Sequence, residues 1–211
     1  MIYSKKRDEM IINLRKLGIN SDLVLNAMNQ VPRHKFVALG SEFQAYDEKA
    51  LPIGFDQTIS HPYTVAVMSQ ALNLKKGERI LEIGTGSGYQ AAVLCQMGAQ
   101  VFTIERISPL GKNAESILKE LKYHFAIRIG DGTMGWQTYA PYDGIIVTAG
   151  APVSPESLLS QLKEGGKLLI PVGDKDEQML TMYIRQGSKY SKIEIEKLSF
   201  VPLIGQYGWQ K

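Results

Sequence analysis

Four side chains stand out by type and spacing: Ser60, Glu82, Glu105 and Asp131. Glu82 opens the run Glu82-Ile83-Gly84-Thr85-Gly86-Ser87-Gly88, with glycine at alternate positions. Glycine removes Cβ atoms where a chain turns tightly and a ligand comes close. Glu105 follows about 20 residues beyond the loop, the spacing at which a carboxylate accepts from ribose hydroxyls. Asp131 sits in Gly130-Asp131-Gly132-Thr133. It is expected to accept from an adenine amino group, with Gly132 beside the ligand; the plainer alternative is a turn-forming Asp. Ser60 lies in Thr58-Ile59-Ser60-His61-Pro62, ahead of a helical run. Its hydroxyl and the free N–H groups of a helix start suit a carboxylate; simple N-capping is the alternative.

These residues need a frame. Apolar Ile80 and Leu81 lead into the glycine loop, and a helical run leaves it from Tyr89 to Met97. Strands are expected at Arg79–Ile83, Val101–Glu105, Ala126–Ile129, Gly144–Thr148 and Lys167–Val172. Helices are expected between them at Tyr89–Met97, Pro109–Leu121 and Pro155–Leu162, the last stopped by Gly165-Gly166. Buried strands alternating with helices imply an α/β, Rossmann-like, doubly wound and mostly parallel sheet. Gln178–Arg185 and Lys192–Leu198 read as an antiparallel hairpin closing one edge, and Phe200–Leu203 as an apolar strand. Upstream, a helix ends at Gly18, a second runs through Leu25 and Met28, and the stretch to Gln57 is expected to be irregular but packed on the body. One domain is expected over residues 1–211. It divides into a helical, substrate-covering region (1–76), a cofactor core (77–175) and C-terminal strands with a substrate-binding segment (176–211).

The loop alone does not choose its ligand. A dinucleotide fingerprint fails from Gly84, where its last position falls on bulky Tyr89, but survives from Gly86 through Gly88 and Ala91. A nicotinamide-dependent oxidoreductase therefore stays open. Glu82, two residues before Gly84, favours another ligand. Its carboxylate repels a pyrophosphate and attracts an ammonium and a sulfonium. S-adenosylmethionine carries both and has no phosphate. After the fourth strand, Thr148-Ala149-Gly150-Ala151-Pro152 contains neither a base-holding Asn/Asp-Pro-Pro-Tyr/Phe motif nor clustered acids for a metal-dependent transfer.

Composition narrows the class further. With 44% hydrophobic and 21% charged residues, the chain is an ordinary globule able to bury a full core. A net charge of +3, spread along the chain, does not suggest nucleic acid. One cysteine, Cys95, leaves no internal disulfide or cysteine zinc site, and among Ala91, Ala92, Val93 and Leu94 it reads as a structural thiol. No metal is expected. His34, His61 and His124 read as surface or loop residues. The charged first residues lack an apolar signal region and no run is long enough to span a bilayer, so a cytoplasmic protein without membrane contact is expected; a monomer is the default expectation.

The chain resembles the protein-L-isoaspartate O-methyltransferases, the repair enzymes for damaged aspartyl and asparaginyl sites. The resemblance rests on Val31-Pro32-Arg33-His34, Gln57-Thr58-Ile59-Ser60-x-Pro62, Leu81–Gly88, Gly130-Asp131-Gly132, Ala140-Pro141-Tyr142-Asp143, Pro171-Val172-Gly173 and Phe200-Val201-Pro202-Leu203. It implies methyl transfer from S-adenosyl-L-methionine, leaving S-adenosyl-L-homocysteine, to the free α-carboxylate of L-isoaspartyl residues in damaged proteins and peptides. The ester then closes to a succinimide, which hydrolyses partly to aspartate. The resemblance implies Ser60 as the active-site serine and Gln57, Thr58, Ile59, Val201, Pro202, Leu203 and Ile204 as substrate contacts. Glu82, Gly84, Thr85, Gly86, Ser87, Gly88, Glu105, Asp131 and Gly132 are the expected cofactor contacts. A non-catalytic module binding S-adenosylmethionine remains the other alternative.

Overall fold

The structure, a computed structural model, describes residues 2–210. Seven strands form the main sheet in the order β5-β4-β3-β6-β7-β8-β9. They are β3 (Arg79–Ile83), β4 (Gln100–Glu105), β5 (Phe125–Ile129), β6 (Tyr142–Val147), β7 (Leu162–Gly173), β8 (Gln178–Gln186) and β9 (Lys189–Leu198). Pairing is parallel from β5 through β7 and antiparallel from β7 through β9. Helices α4 (Tyr89–Gln96), α5 (Ser108–Glu120) and the single turn α6 (Glu156–Leu159) connect the parallel strands. The chain builds outward from β3 to β5, then returns to lay β6 on the other side of β3. That reversal opens a crevice at the carboxyl ends of β3 and β6, where ligands of open α/β sheets bind.

The alternation of side chains explains the two cores. Ile80, Ile146, Leu169 and Leu180 bury one sheet face against α4 and three N-terminal helices, α1 (Ile2–Lys16), α2 (Asp22–Gln30) and α3 (Pro62–Leu72). Leu81, Ile83, Ile145, Val147, Leu168 and Ile170 bury the other. Neighbours in sequence thus serve opposite faces, which the period of two in a strand requires. Strands covered on both faces read as continuous apolar runs.

Four expectations change. The end of the stretch expected to be irregular as far as Gln57 instead forms a hairpin of β1 (Leu51–Gly54) and β2 (Gln57–Ile59). Its tip, Phe55-Asp56, takes positive φ at both residues (56° and 55°), the geometry whose twist matches a tight hairpin. The helix expected at 155–162 shrinks to α6, because Leu162 already pairs with Tyr142 as the first residue of β7. A short apolar run fits either state, and burial decides between them. Gly165-Gly166 stops no helix. The glycines lie inside β7, where the register jumps between Tyr142–Leu162 and Gly144–Lys167, and Gly165 has φ +72°. Phe200–Leu203 is no full strand but makes a single bridge, Gly150 to Pro202.

Candidate active site

A cleft with about 790 Å³ of empty space, open to solvent, lies at the crevice between β3 and β6. Gly84, Thr85, Gly86 and Ser87 of the glycine loop line it, whereas Gly88 does not. Gly84, Gly86 and Gly88 all have positive φ (97°, 53° and 88°). A Cβ on Gly84 would stand 2.5 Å from Thr148 Oγ1, whose hydroxyl donates to Gly84 O at 2.6 Å. The loop is therefore pinned to the end of β6 with no room for a side chain. Gly88 N-caps α4 without a side-chain bond, leaving the helix start turned towards the loop.

Glu105 closes one side of the cleft and is buried. Its Oε2 accepts from Gly86 N and its Oε1 from Ile107 N, both at 2.8 Å. Two backbone donors thus hold the carboxylate in one orientation, and each oxygen keeps a lone pair for a ligand hydroxyl.

Glu82 and Asp131 are placed differently from expectation. Neither lines the cleft. Glu82 is fully buried; its Oε2 accepts from Thr103 Oγ1 at 2.5 Å and its Oε1 has no partner. Burial raises its carboxyl to about 8, with the Thr103 hydrogen bond opposing and the nearby Glu105 charge adding to the rise. At neutral pH it is largely protonated, so the attraction expected from a fixed negative charge is weakened by desolvation. It reaches the cleft only through hydroxyls: Thr103 Oγ1 lies 2.6 Å from that of Thr85, a lining residue. Asp131 caps the turn Gly132–Met134, its Oδ1 accepting from Thr133 N and Oγ1 at 2.8 and 2.7 Å. Its Oδ2 accepts from Gln206 N at 2.8 Å. Burial alone would push this carboxyl up, but the Gln206 amide and the Thr133 hydroxyl and amide draw it below the usual value. Asp131 thus forms the turn and ties the C-terminal segment to it through Gln206. Gly132 does line the cleft.

Other lining residues come from far away in sequence. Gln57, Thr58, Ile59 and Ser60 line the cleft, as do Val201, Pro202, Leu203 and Ile204. Gly150 brings the second group in: its N–H donates to Val201 O and its carbonyl accepts from Leu203 N, both at 2.8 Å. Trp209 Nε1 donates to the same carbonyl at 3.1 Å.

Ser60 was expected at the start of a helix, and α3 does begin just after it. The N-cap is His61, however, whose Nδ1 accepts from Tyr63 N at 3.0 Å. His61 is thus a half-buried structural residue, its imidazole held below the usual value chiefly by burial. The arrangement releases the Ser60 hydroxyl from capping.

A family model described as protein-L-isoaspartate(D-aspartate) O-methyltransferase matches residues 5–208. The chain belongs to this family. Among curated relatives, a protein-L-isoaspartate O-methyltransferase from Christiangramia forsetii is 51% identical, covering 96% of this chain and 95% of its own. Among solved structures, a protein-L-isoaspartate O-methyltransferase superposes with a TM-score of 0.89 at 28% identity, over 96% of this chain and 67% of that one. Another, a putative protein-L-isoaspartate O-methyltransferase from Plasmodium falciparum in complex with S-adenosyl-L-homocysteine, gives 0.82 at 28% identity, over 94% and 98%. Membership sets aside the oxidoreductase left open by the Gly86-Gly88-Ala91 register.

In this methyltransferase several site residues carry no sequence signal of their own. Thr148, Tyr89 and Gln90 line the cleft, yet nothing in their spacing singles them out. Tyr89, too bulky for a dinucleotide fingerprint, is fully buried beneath Phe36 (ring centroids 5.7 Å apart, edge-on). Arg33 lies behind the cleft wall and is fully buried, its Nη2 donating to Ser60 O at 2.6 Å. His34, expected at the surface, stacks on Tyr3 at 4.1 Å and lies 2.7 Å from Tyr46 OH through Nδ1. His124 is exposed as expected. Burial raises the Cys95 thiol to about 12, which removes it as a nucleophile. Among the described residues no cluster of His, Cys, Asp or Glu could hold a metal ion.

Proposed function

We propose that the chain transfers a methyl group from S-adenosyl-L-methionine to the free α-carboxylate of L-isoaspartyl residues in damaged proteins and peptides. The observation that carries this reading is one cleft shared by two groups of residues. The glycine loop and Glu105 form a cradle, and Ser60 and the 201–204 segment line the same cleft. The cradle fits the ligand: glycines with left-handed backbone line it, and Glu105 presents oriented acceptors to ribose hydroxyls.

When bound, S-adenosylmethionine supplies a methyl group made electrophilic by its sulfonium. The acceptor carboxylate is ionised at neutral pH, so the chain needs no strong base. Its task is to align and desolvate. In this reading Ser60 donates its hydroxyl to the acceptor carboxylate and orients it. Val201 to Ile204 run beside an extended substrate peptide, while Gln57, Thr58 and Ile59 border donor and acceptor. Thr85, Ser87 and the loop glycines shape the cofactor side. The protein is proposed to act as a cytoplasmic monomer on proteins, not on nucleic acid. Among the described residues no helix is long and apolar enough to cross a membrane.

The test uses paired peptides identical except for aspartate or isoaspartate at one position. Labelled methyl should appear on the isoaspartyl peptide alone. Labelling of both, or of neither, would overturn the reading.

A further inference from the structure

Arg33 is a buried cation without a counter-ion. It is fully buried, and none of the salt bridges among the described residues involves it. Its Nε donates to Ala45 O and its Nη2 to Ser60 O, both at 2.6 Å, and its Nη1 has no partner. Its Cζ stands 4.6 Å from the ring centroid of Tyr89, whose hydroxyl is also buried and unpartnered. Ser60 and Tyr89 both line the cleft, so the guanidinium touches two of its lining residues from behind. A buried charge is costly and is normally paired. Arginine nevertheless stays charged, and a planar fork of donors holds two carbonyls in a way that an ammonium on a flexible stem cannot.

We propose that Arg33 is a positioning residue for the anionic acceptor: its fork latches the Ser60 backbone, and its unpaired charge sets a positive potential behind the acceptor side of the cleft. This rests on the assignment of that side to the isoaspartyl carboxylate. The latch keeps the Ser60 hydroxyl turned into the cleft. The charge favours a carboxylate over a neutral group of the same shape, because in a water-poor wall the field is weakly screened. The missing counter-ion would then be the substrate's own carboxylate.

Binding in the presence of S-adenosylhomocysteine, where no transfer occurs, provides the test. Dissociation constants are measured by calorimetry for an isoaspartyl peptide and for the same peptide with its α-carboxylate converted to the carboxamide. The wild type should favour the carboxylate. Arg33→Met should lose about tenfold in affinity for the carboxylate peptide, with the carboxamide peptide and S-adenosylhomocysteine unaffected. Arg33→Lys should retain the preference but lower kcat, since charge survives and the latch does not. Equal losses for both peptides, or a parallel fall in S-adenosylhomocysteine affinity, would reduce Arg33 to a structural residue. Should Arg33→Met fail to fold, Arg33→Lys still decides: wild-type kcat overturns the latch, and a lost preference overturns the charge. A wild-type preference that persists in Arg33→Met overturns the Arg33 role alone. No preference in the wild type overturns the acceptor-side assignment together with it.

Discussion

Two acids separated by one strand pairing behave differently because one is sealed and the other is held by amides. Glu105 is oriented by the N–H groups of Gly86 and Ile107 at the cleft wall. Glu105→Ala should weaken S-adenosylhomocysteine binding by about tenfold or more, since hydrogen bonds to a charged group are worth roughly 1.5–3 kcal/mol. Unchanged binding in a calorimeter would remove it from the cofactor site. Ser60→Ala should do the reverse, lowering turnover while cofactor affinity stays near wild type. Glu82 carries a pH signature. Its native pKa of about 8 lies above the usual 4.5, so the folded protein retains a proton that the unfolded chain releases between these values. The stability that this group contributes is complete below pH 4.5 and is lost as pH rises through 8. Glu82→Gln keeps an acceptor for Thr103 and removes the titration. Its melting temperature should fall less steeply than that of wild type across that window; an identical slope would place the titration elsewhere.

At the scale of elements, the glycine loop works through backbone geometry. Gly84 combines φ +97° with a Cβ position 2.5 Å from Thr148 Oγ1. Gly84→Ala must strain the backbone or push Thr148 away from the loop, at a cost of order 1–3 kcal/mol. Cofactor affinity should fall markedly while the far-UV spectrum is preserved; wild-type affinity would show that the loop tolerates the Cβ. This motif was legible in sequence because alternating glycines after an apolar strand have few other uses. The hairpin at 51–59 was not. Its strands are only four and three residues long, and its turn, Phe55-Asp56, lacks the glycine that usually marks such a tip. The cap of α3 was not legible for a similar reason. Serine, histidine and proline in a row allow two caps, and only the placed His61 ring, with Nδ1 on Tyr63 N, chooses between them.

Across the whole molecule, the sheet sets both stability and site. Leu169, fully buried in β7, pairs with Ile146 on one side and Met182 on the other. Leu169→Ala should cost about 2–5 kcal/mol in denaturant unfolding. A loss under about 1 kcal/mol would mean that the site collapses around the cavity. The parallel architecture, the antiparallel edge and the strand–turn–helix around the glycine loop all followed from the sequence. They depend on periodicity and local turn chemistry, which a linear chain displays. What only the tertiary structure decided was long-range or dielectric in origin. Gly150 draws Val201 and Leu203 to the cleft through backbone hydrogen bonds that side-chain type does not encode. Asp131 caps a turn and anchors Gln206 because a partner from the C-terminus is within reach. Glu82 reads as an anion in sequence, yet burial keeps it largely neutral, and nothing in the sequence marks Arg33 as the charge that the fold encloses against Ser60. Charge in a sequence is fixed by residue type, but its solvation, and hence its effect, is set by the surroundings that folding assembles.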